Sequence, residues 1–188
     1  LRAPRSEHSD GMPRTPRPLP AHLGTAFTCA DAMADGVTSG RLRGRDLERP
    51  FRGARLLPTG ALLDDGPLAI DRRKRDRVRL RAAAARGILT PHAALAGLTA
   101  AAVWGAPLPD EFDPDDDLCL ITPHPHRAPR GRGVRGREVR SHLFSTEERD
   151  GLRVTSPAST WALLGGELSP RWLTIIGDHL VRIPRSDR

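Results

Sequence analysis

No tyrosine occurs among the 188 residues, and aromatic residues make up 4% of them. Single-strand recognition by stacking bases on rings therefore lacks its material. Cys29 and Cys119 are the only cysteines, far apart and without a CxxC or CxxH companion, which excludes a disulfide scaffold and a structural zinc site. No apolar run approaches the roughly 20 residues that span a bilayer. The N-terminus is rich in Arg and Pro where a signal peptide would carry an apolar stretch. A cytoplasmic protein without a membrane partner is expected. Glycine-rich phosphate loops of the Walker or dinucleotide type are also missing, and no cofactor is expected. The segment ahead of Met12 reads as a flexible leader.

What is abundant is arginine. Lys and Arg number 30 against 23 Asp and Glu, the formal charge is +7, and all but Lys74 of the basic residues are arginine. Such a balance is the electrostatic footprint of a nucleic-acid binder, and the guanidinium fork grips phosphate or guanine edges bidentately where lysine cannot. The charge is uneven, because residues 110–117, "DEFDPDDD", hold six acidic groups and no basic one. That block lacks the glycine and distal glutamate of an EF-hand loop, so it reads as a solvated acidic loop that pairs with arginines or holds off DNA, and no metal is expected.

Residues 1–18 are polar and proline-rich and read as a disordered basic arm. Residues 19–58 read as a winged helix-turn-helix. "LPAHLGTAF" is a short helix or turn, followed by a helix capped by Thr28 with Asp31 three residues later. Gly36 ends that helix, and Val37 plugs the corner. A second helix, capped by Thr38 or Ser39 and running to about Asp46, turns Leu42 and Leu47 inward and leaves Arg41, Arg43 and Arg45 outside. Pro50 stops it. "PFRGARLL" then forms a strand with Arg52 and Arg55 exposed and a turn at Gly53. A recognition helix buries one stripe while presenting long donors to base edges, and a basic wing beside it contacts backbone. A merely solvated charged helix is the alternative, and Gly44 inside the helix disagrees with the first reading.

"AFTCADAMADGVTSGRLRGRDLERPFRGARLL" resembles the N-terminal winged helix of AbiEi-type antitoxins and of related actinobacterial proteins that often carry a very-short-patch-repair-like endonuclease domain. "GLTAAAVWGAPLP", "LRVTSPASTWALLG" and "IIGDHLVR" are similar to later segments of that family in the same order, so the resemblance runs from Leu19 to Arg182. It implies a bacterial transcriptional regulator that represses its own operon, and an antitoxin of a type IV system that neutralises a nucleotidyltransferase-type toxin.

Residues 70–188 read as a mixed α/β domain with a two-stranded or larger sheet and two C-terminal helices, which makes the whole chain α+β. "DRRKRDRVRLRAAAARG" is helical, with Arg73, Arg77 and Arg81 on one line and Val78, Ala82 and Ala85 on another; Arg73 and Arg77 are candidate phosphate contacts, and a solvated linker helix is the alternative. Thr90 with Pro91 reads as a helix start, and Trp104 as a core anchor. "LCLITP" and "REVRSHLF" are strands, joined by "HPHRAPRGRGVRG", whose Arg130, Arg132 and Arg135 are further candidates for phosphate. His124 and His126 have no third ligand at fitting spacing. Ser156-Pro157 and Ser169-Pro170 start two helices, the last with Trp172, Leu173, Ile176, His179, Leu180 and Ile183 on one face. Asp178, His179 and Ser156 do not make a triad, because adjacent helical residues diverge by about 100 degrees.

No catalytic constellation emerges, and the expectation is a non-enzyme: a double-stranded DNA-binding regulator reading an operator, with homodimerisation on a palindrome a further expectation. The alternative is the DNA-targeting portion of an endonuclease whose catalytic domain is missing from these residues. An interaction module with incidental basicity is a third reading, and it predicts binding insensitive to salt.

Overall fold

A computed structural model describes residues 16–58, 66 and 68–182. The protein is α+β. Its centre is a six-stranded mixed sheet in the order β5 (Arg130–Gly131), β6 (Val134–Val139), β4 (Leu118–Pro123), β3 (Ala94–Leu95), β8 (Leu152–Thr155) and β7 (Thr146–Arg149), and a separate antiparallel pair, β1 (Ala26–Thr28) with β2 (Ala54–Leu56), carries the N-terminal segment. The apolar run "LCLITP" becomes β4 (Leu118–Pro123), which pairs antiparallel with β3 (Ala94–Leu95) and parallel with β6 (Val134–Val139). Strand alternation sends Leu118 and Leu120 to one face and Ile121 to the other.

Helices α2 (Ala69–Ala85) and α3 (Gly97–Val103) cover the first face. Val78, Ala82 and Ala85 recur at helical spacing and are buried there, and the alanines of α3 let it press close to the sheet. Gly97, at φ +55°, opens α3 where a Cβ would meet Cβ of Cys119 at 3.5 Å. Trp104 is buried and donates through Nε1 to the Thr155 carbonyl at 2.8 Å, which ties the α3 end to β8 (Leu152–Thr155). On the other face, Leu163 of α4 (Pro157–Leu164) packs on Ala94, Ala96 and Ile121. Ser156 caps α4 by accepting from the Ser159 amide, and α5 (Pro170–Val181) follows with Ile176 and Leu180 buried. Truncating a buried leucine such as Leu120 to alanine would cost about 2–5 kcal/mol.

The short helix or turn expected in "LPAHLGTAF" stands as a 3-10 turn, Ala21–Leu23, that runs into β1. Several local expectations change. The arginine helix expected through Asp46 is one 3-10 turn, Arg41–Arg43, because the chain leaves helical geometry at Gly44 (ψ 145°). Thr90 and Pro91 begin no helix; they sit in a turn ahead of β3, whose sheet pairing outweighs the local cap signal. The strand in "REVRSHLF" ends at Val139, and Ser141–Leu143 is a 3-10 turn. The hairpin of β7 (Thr146–Arg149) and β8 was not expected.

The N-terminal segment has a small core of its own, built from Phe27, Ala32, Leu42 and Leu47. Phe51, Ala54 and Leu56 instead join the core of α2, α3 and the large sheet, so buried apolar surface is continuous between residues 19–58 and the rest. Most of the basic arm, residues 1–15, and Ile183 at the end of the expected apolar face lie outside the described residues.

Candidate nucleic-acid interface

The N-terminal scaffold is held by local chemistry. Thr28 Oγ1 accepts from the Asp31 amide at 3.0 Å and donates to the Asp31 carboxylate at 2.7 Å, fixing the start of α1 (Cys29–Ala34). Gly36, at φ +78°, reverses the chain, and the Val37 amide returns to the Ala32 carbonyl at 2.9 Å. Glu48 then bridges Leu56, with N···O distances of 2.9 and 3.1 Å, which closes the loop 38–53 onto β2.

Within that loop the arginines divide. Arg41 grips Asp46 bidentately at 3.0 and 2.7 Å, its Nε donates to the Arg17 carbonyl at 2.6 Å, and only 12% of its side chain is exposed. All three of its guanidinium nitrogens are occupied. Arg55, expected on the outer face of the wing, donates to the Leu42 and Ala54 carbonyls, both at 2.7 Å, and so staples the 3-10 turn to β2. Thr38 Oγ1 accepts from the Arg41 amide at 3.2 Å, while the residue that caps the Arg41–Arg43 turn is Gly40 rather than Thr38 or Ser39. Ser39 Oγ accepts from Arg43 at 3.4 Å, a weak contact. Arg43, Arg45 and Arg52 are exposed, and among the described residues Arg45 and Arg52 have no partner.

The basic helix α2 is different. Arg77 stands between Glu48 at 2.6 Å and Asp115 at 2.8 Å; burial opposes its charge, but hydrogen bonds and attraction to these two carboxylates outweigh that and raise its pKa. Arg81 is buried beneath the acidic loop, where Nη1 donates to the Pro114 and Asp116 carbonyls, both at 2.6 Å, and its guanidinium lies 5.6 Å from the Phe51 ring centre. Burial lowers its pKa against the pull of Asp115, although a guanidinium stays protonated. Lys74 donates to the Asp110 carbonyl at 2.6 Å, Arg75 pairs with Asp71, and Arg79 with Asp76. Arg73 is exposed, with Nε directed at the Ala69 carbonyl at 3.3 Å.

On the far edge of the sheet, β5 (Arg130–Gly131) and β6 form a hairpin in which Arg130 stands opposite Arg135. Arg130 and Arg132 are exposed without a partner among the described residues, while Arg135 donates to Cys119 Sγ at 3.2 Å. That contact and the thiol's electrostatic pull raise the Arg135 pKa. The hairpin tip presses on the N-terminal loop, since a Cβ at Gly133 (φ +85°) would come within 2.8 Å of the Phe51 ring and 2.9 Å of the Pro50 carbonyl. Arg132 and Arg52 flank this contact, one residue before Gly133 and one after Phe51.

The histidines do not converge. His124 pairs with Glu138, whereas His126 stacks on His92 with ring centres 3.6 Å apart and planes 8° from parallel. Among the described residues no group of three potential metal ligands forms. His179 lies against the Trp104 carbonyl at 3.2 Å, and Asp178 pairs with Arg182. No helix among the described residues is long and apolar enough to cross a membrane. Neither a protein-family model nor a curated protein matches the chain.

Proposed function

We propose that the protein is a double-stranded DNA-binding transcriptional regulator of the AbiEi antitoxin kind, whose duplex-contacting surface is the loop that carries Arg43, Arg45 and Arg52. The observation that supports this most is the contrast inside the loop. Arg41 and Arg55 hold it in shape through Asp46 and backbone carbonyls, while Arg45 and Arg52 are exposed and unpartnered. A guanidinium that the fold does not use retains all five donors for phosphate or a guanine edge. Thr38 and Ser39 flank the loop with hydroxyls that can add backbone contacts. Base reading in this proposal comes from a loop and one 3-10 turn, since no recognition helix of several turns stands there. Neutralisation of a nucleotidyltransferase-type toxin is the antitoxin half of the same proposal and rests on the family resemblance.

The test is a titration of the protein's own upstream DNA against unrelated duplex. R45A or R52A should each weaken specific binding by about 1–3 kcal/mol where the arginine reads a base. Equal affinity of the R45A/R52A double variant and the wild type for the upstream site would overturn the proposal.

A further inference from the structure

Cross-strand partners in a sheet share a face, and so do residues two apart on a strand. Arg130 is opposite Arg135 on the hairpin, and the parallel pairing of β6 with β4 sets Arg135 beside Cys119 and Arg137 beside Ile121. Arg130, Arg135 and Arg137 therefore form one row on the Ile121 face, turned away from Leu118 and Leu120. All three are exposed. Like charges directly opposite one another weaken a hairpin. The protein relieves this pair only in part: Arg130 has no partner among the described residues, and Arg135 hydrogen-bonds only to the thiol of Cys119, a weak acceptor, with a lesser pull from the more distant carboxylates of Glu167 and Asp117. Arg137 alone has a carboxylate, Glu167 at 2.8 Å.

We infer that this arginine row is a second nucleic-acid docking face, which grips the phosphate backbone of a duplex without reading its bases. The inference rests on the DNA-binding reading above and extends it to a surface on the other side of the molecule's central sheet from α2. Charge complementarity carries it. A phosphate seated between Arg130 and Arg135 turns one repulsion into two charge-assisted attractions, and the guanidinium fork suits phosphate geometry. The spacing of about 6.6 Å between residues two apart on a strand sets Arg135 and Arg137 on separate phosphates. No aromatic side chain stands in the row, although aromatic anchors are what protein partners favour. The tip contact between Gly133 and the Pro50–Phe51 corner joins this hairpin to the loop bearing Arg52, so one bound molecule can meet both.

The experiment uses the full chain and a labelled duplex of arbitrary sequence, followed by fluorescence anisotropy from about 50 to about 200 mM KCl. R130A/R135A should reduce the slope of log affinity against log salt by about 1.8, two contacts of about 0.9 each, on every sequence alike. R130E should bind more weakly yet melt above the wild type, because it gives Arg135 a carboxylate in place of a like charge. A lower melting temperature for R130E would make Arg130 structural and overturn the inference. An unchanged slope for R130A/R135A, with wild-type binding intact, would overturn it while the loop reading stands. Failure of the wild type to bind any duplex would remove both readings. Polyglutamate competing as well as duplex at equal charge would assign the row to an acidic protein surface and overturn it as well.

Discussion

Two segments of this protein are both crowded with positive charge and have opposite fates. Helix α2 holds seven bases between Arg72 and Arg81, and the connector that becomes the β5–β6 hairpin holds six arginines between Arg127 and Arg140. In α2 the donors turn inward or meet acid: Arg81 holds the Pro114 and Asp116 carbonyls, Lys74 the Asp110 carbonyl, and Arg77 spans Glu48 and Asp115. In the hairpin only Arg137 has a carboxylate partner, and Arg127, Arg130, Arg132 and Arg140 have no side-chain partner among the described residues. Basicity in sequence thus says little until the acids are placed in space. The "DEFDPDDD" block neutralises a helix more than thirty residues earlier and leaves a closer neighbour in sequence uncovered.

That contrast can be broken from either side. The largest effect is expected from Arg81→Ala, which strips the Pro114 and Asp116 carbonyls of a buried donor and removes a cation from the Phe51 ring; about 2–4 kcal/mol of stability should be lost in urea denaturation. Duplex affinity per folded molecule should stay as it was. Next is Gly133→Ala, where a Cβ at φ +85° meets both strain and the Phe51 ring, for a loss of about 1–3 kcal/mol. Its salt slope should also fall, as the hairpin and the loop move apart. Arg41→Ala should cost about 1–2 kcal/mol by thermal melting, since its fork closes the loop on Asp46. The smallest change is expected from Asp115→Asn, about 0.2–1 kcal/mol for a half-exposed pair, together with a modest gain in duplex affinity as Arg77 is partly released.

Much of the fold was legible. The capped start at Thr28, the glycine stop at Gly36, the Ser-Pro starts of α4 and α5, the strand in "LCLITP" and the core role of Trp104 follow from local rules and stand in the structure. The β7–β8 hairpin was legible but unread: Asp150-Gly151, both at positive φ, is a two-residue turn signal between alternating segments. The end of the arginine helix at Arg43 was signalled by Gly44, yet the reason the loop stays folded is not local, because Arg55 reaches thirteen residues back to the Leu42 carbonyl. Occupancy was the part sequence could not reveal. Arg41, Arg43 and Arg45 look alike at alternating positions, and only the nearness of Asp46 and the Arg17 carbonyl separates the first from the others. Arg77 likewise reads as a phosphate contact until Asp115 closes on it from thirty-eight residues away.

The most direct test of the division between occupied and open guanidiniums is modification by the arginine reagent phenylglyoxal, mapped by mass spectrometry with and without duplex DNA. Arg45, Arg52, Arg130 and Arg132 should react in the free protein and be protected by duplex, while Arg41, Arg77 and Arg81 stay unreactive in both. Protection falling on α2, or unchanged reactivity of the loop and hairpin arginines when duplex is saturating, would contradict the account.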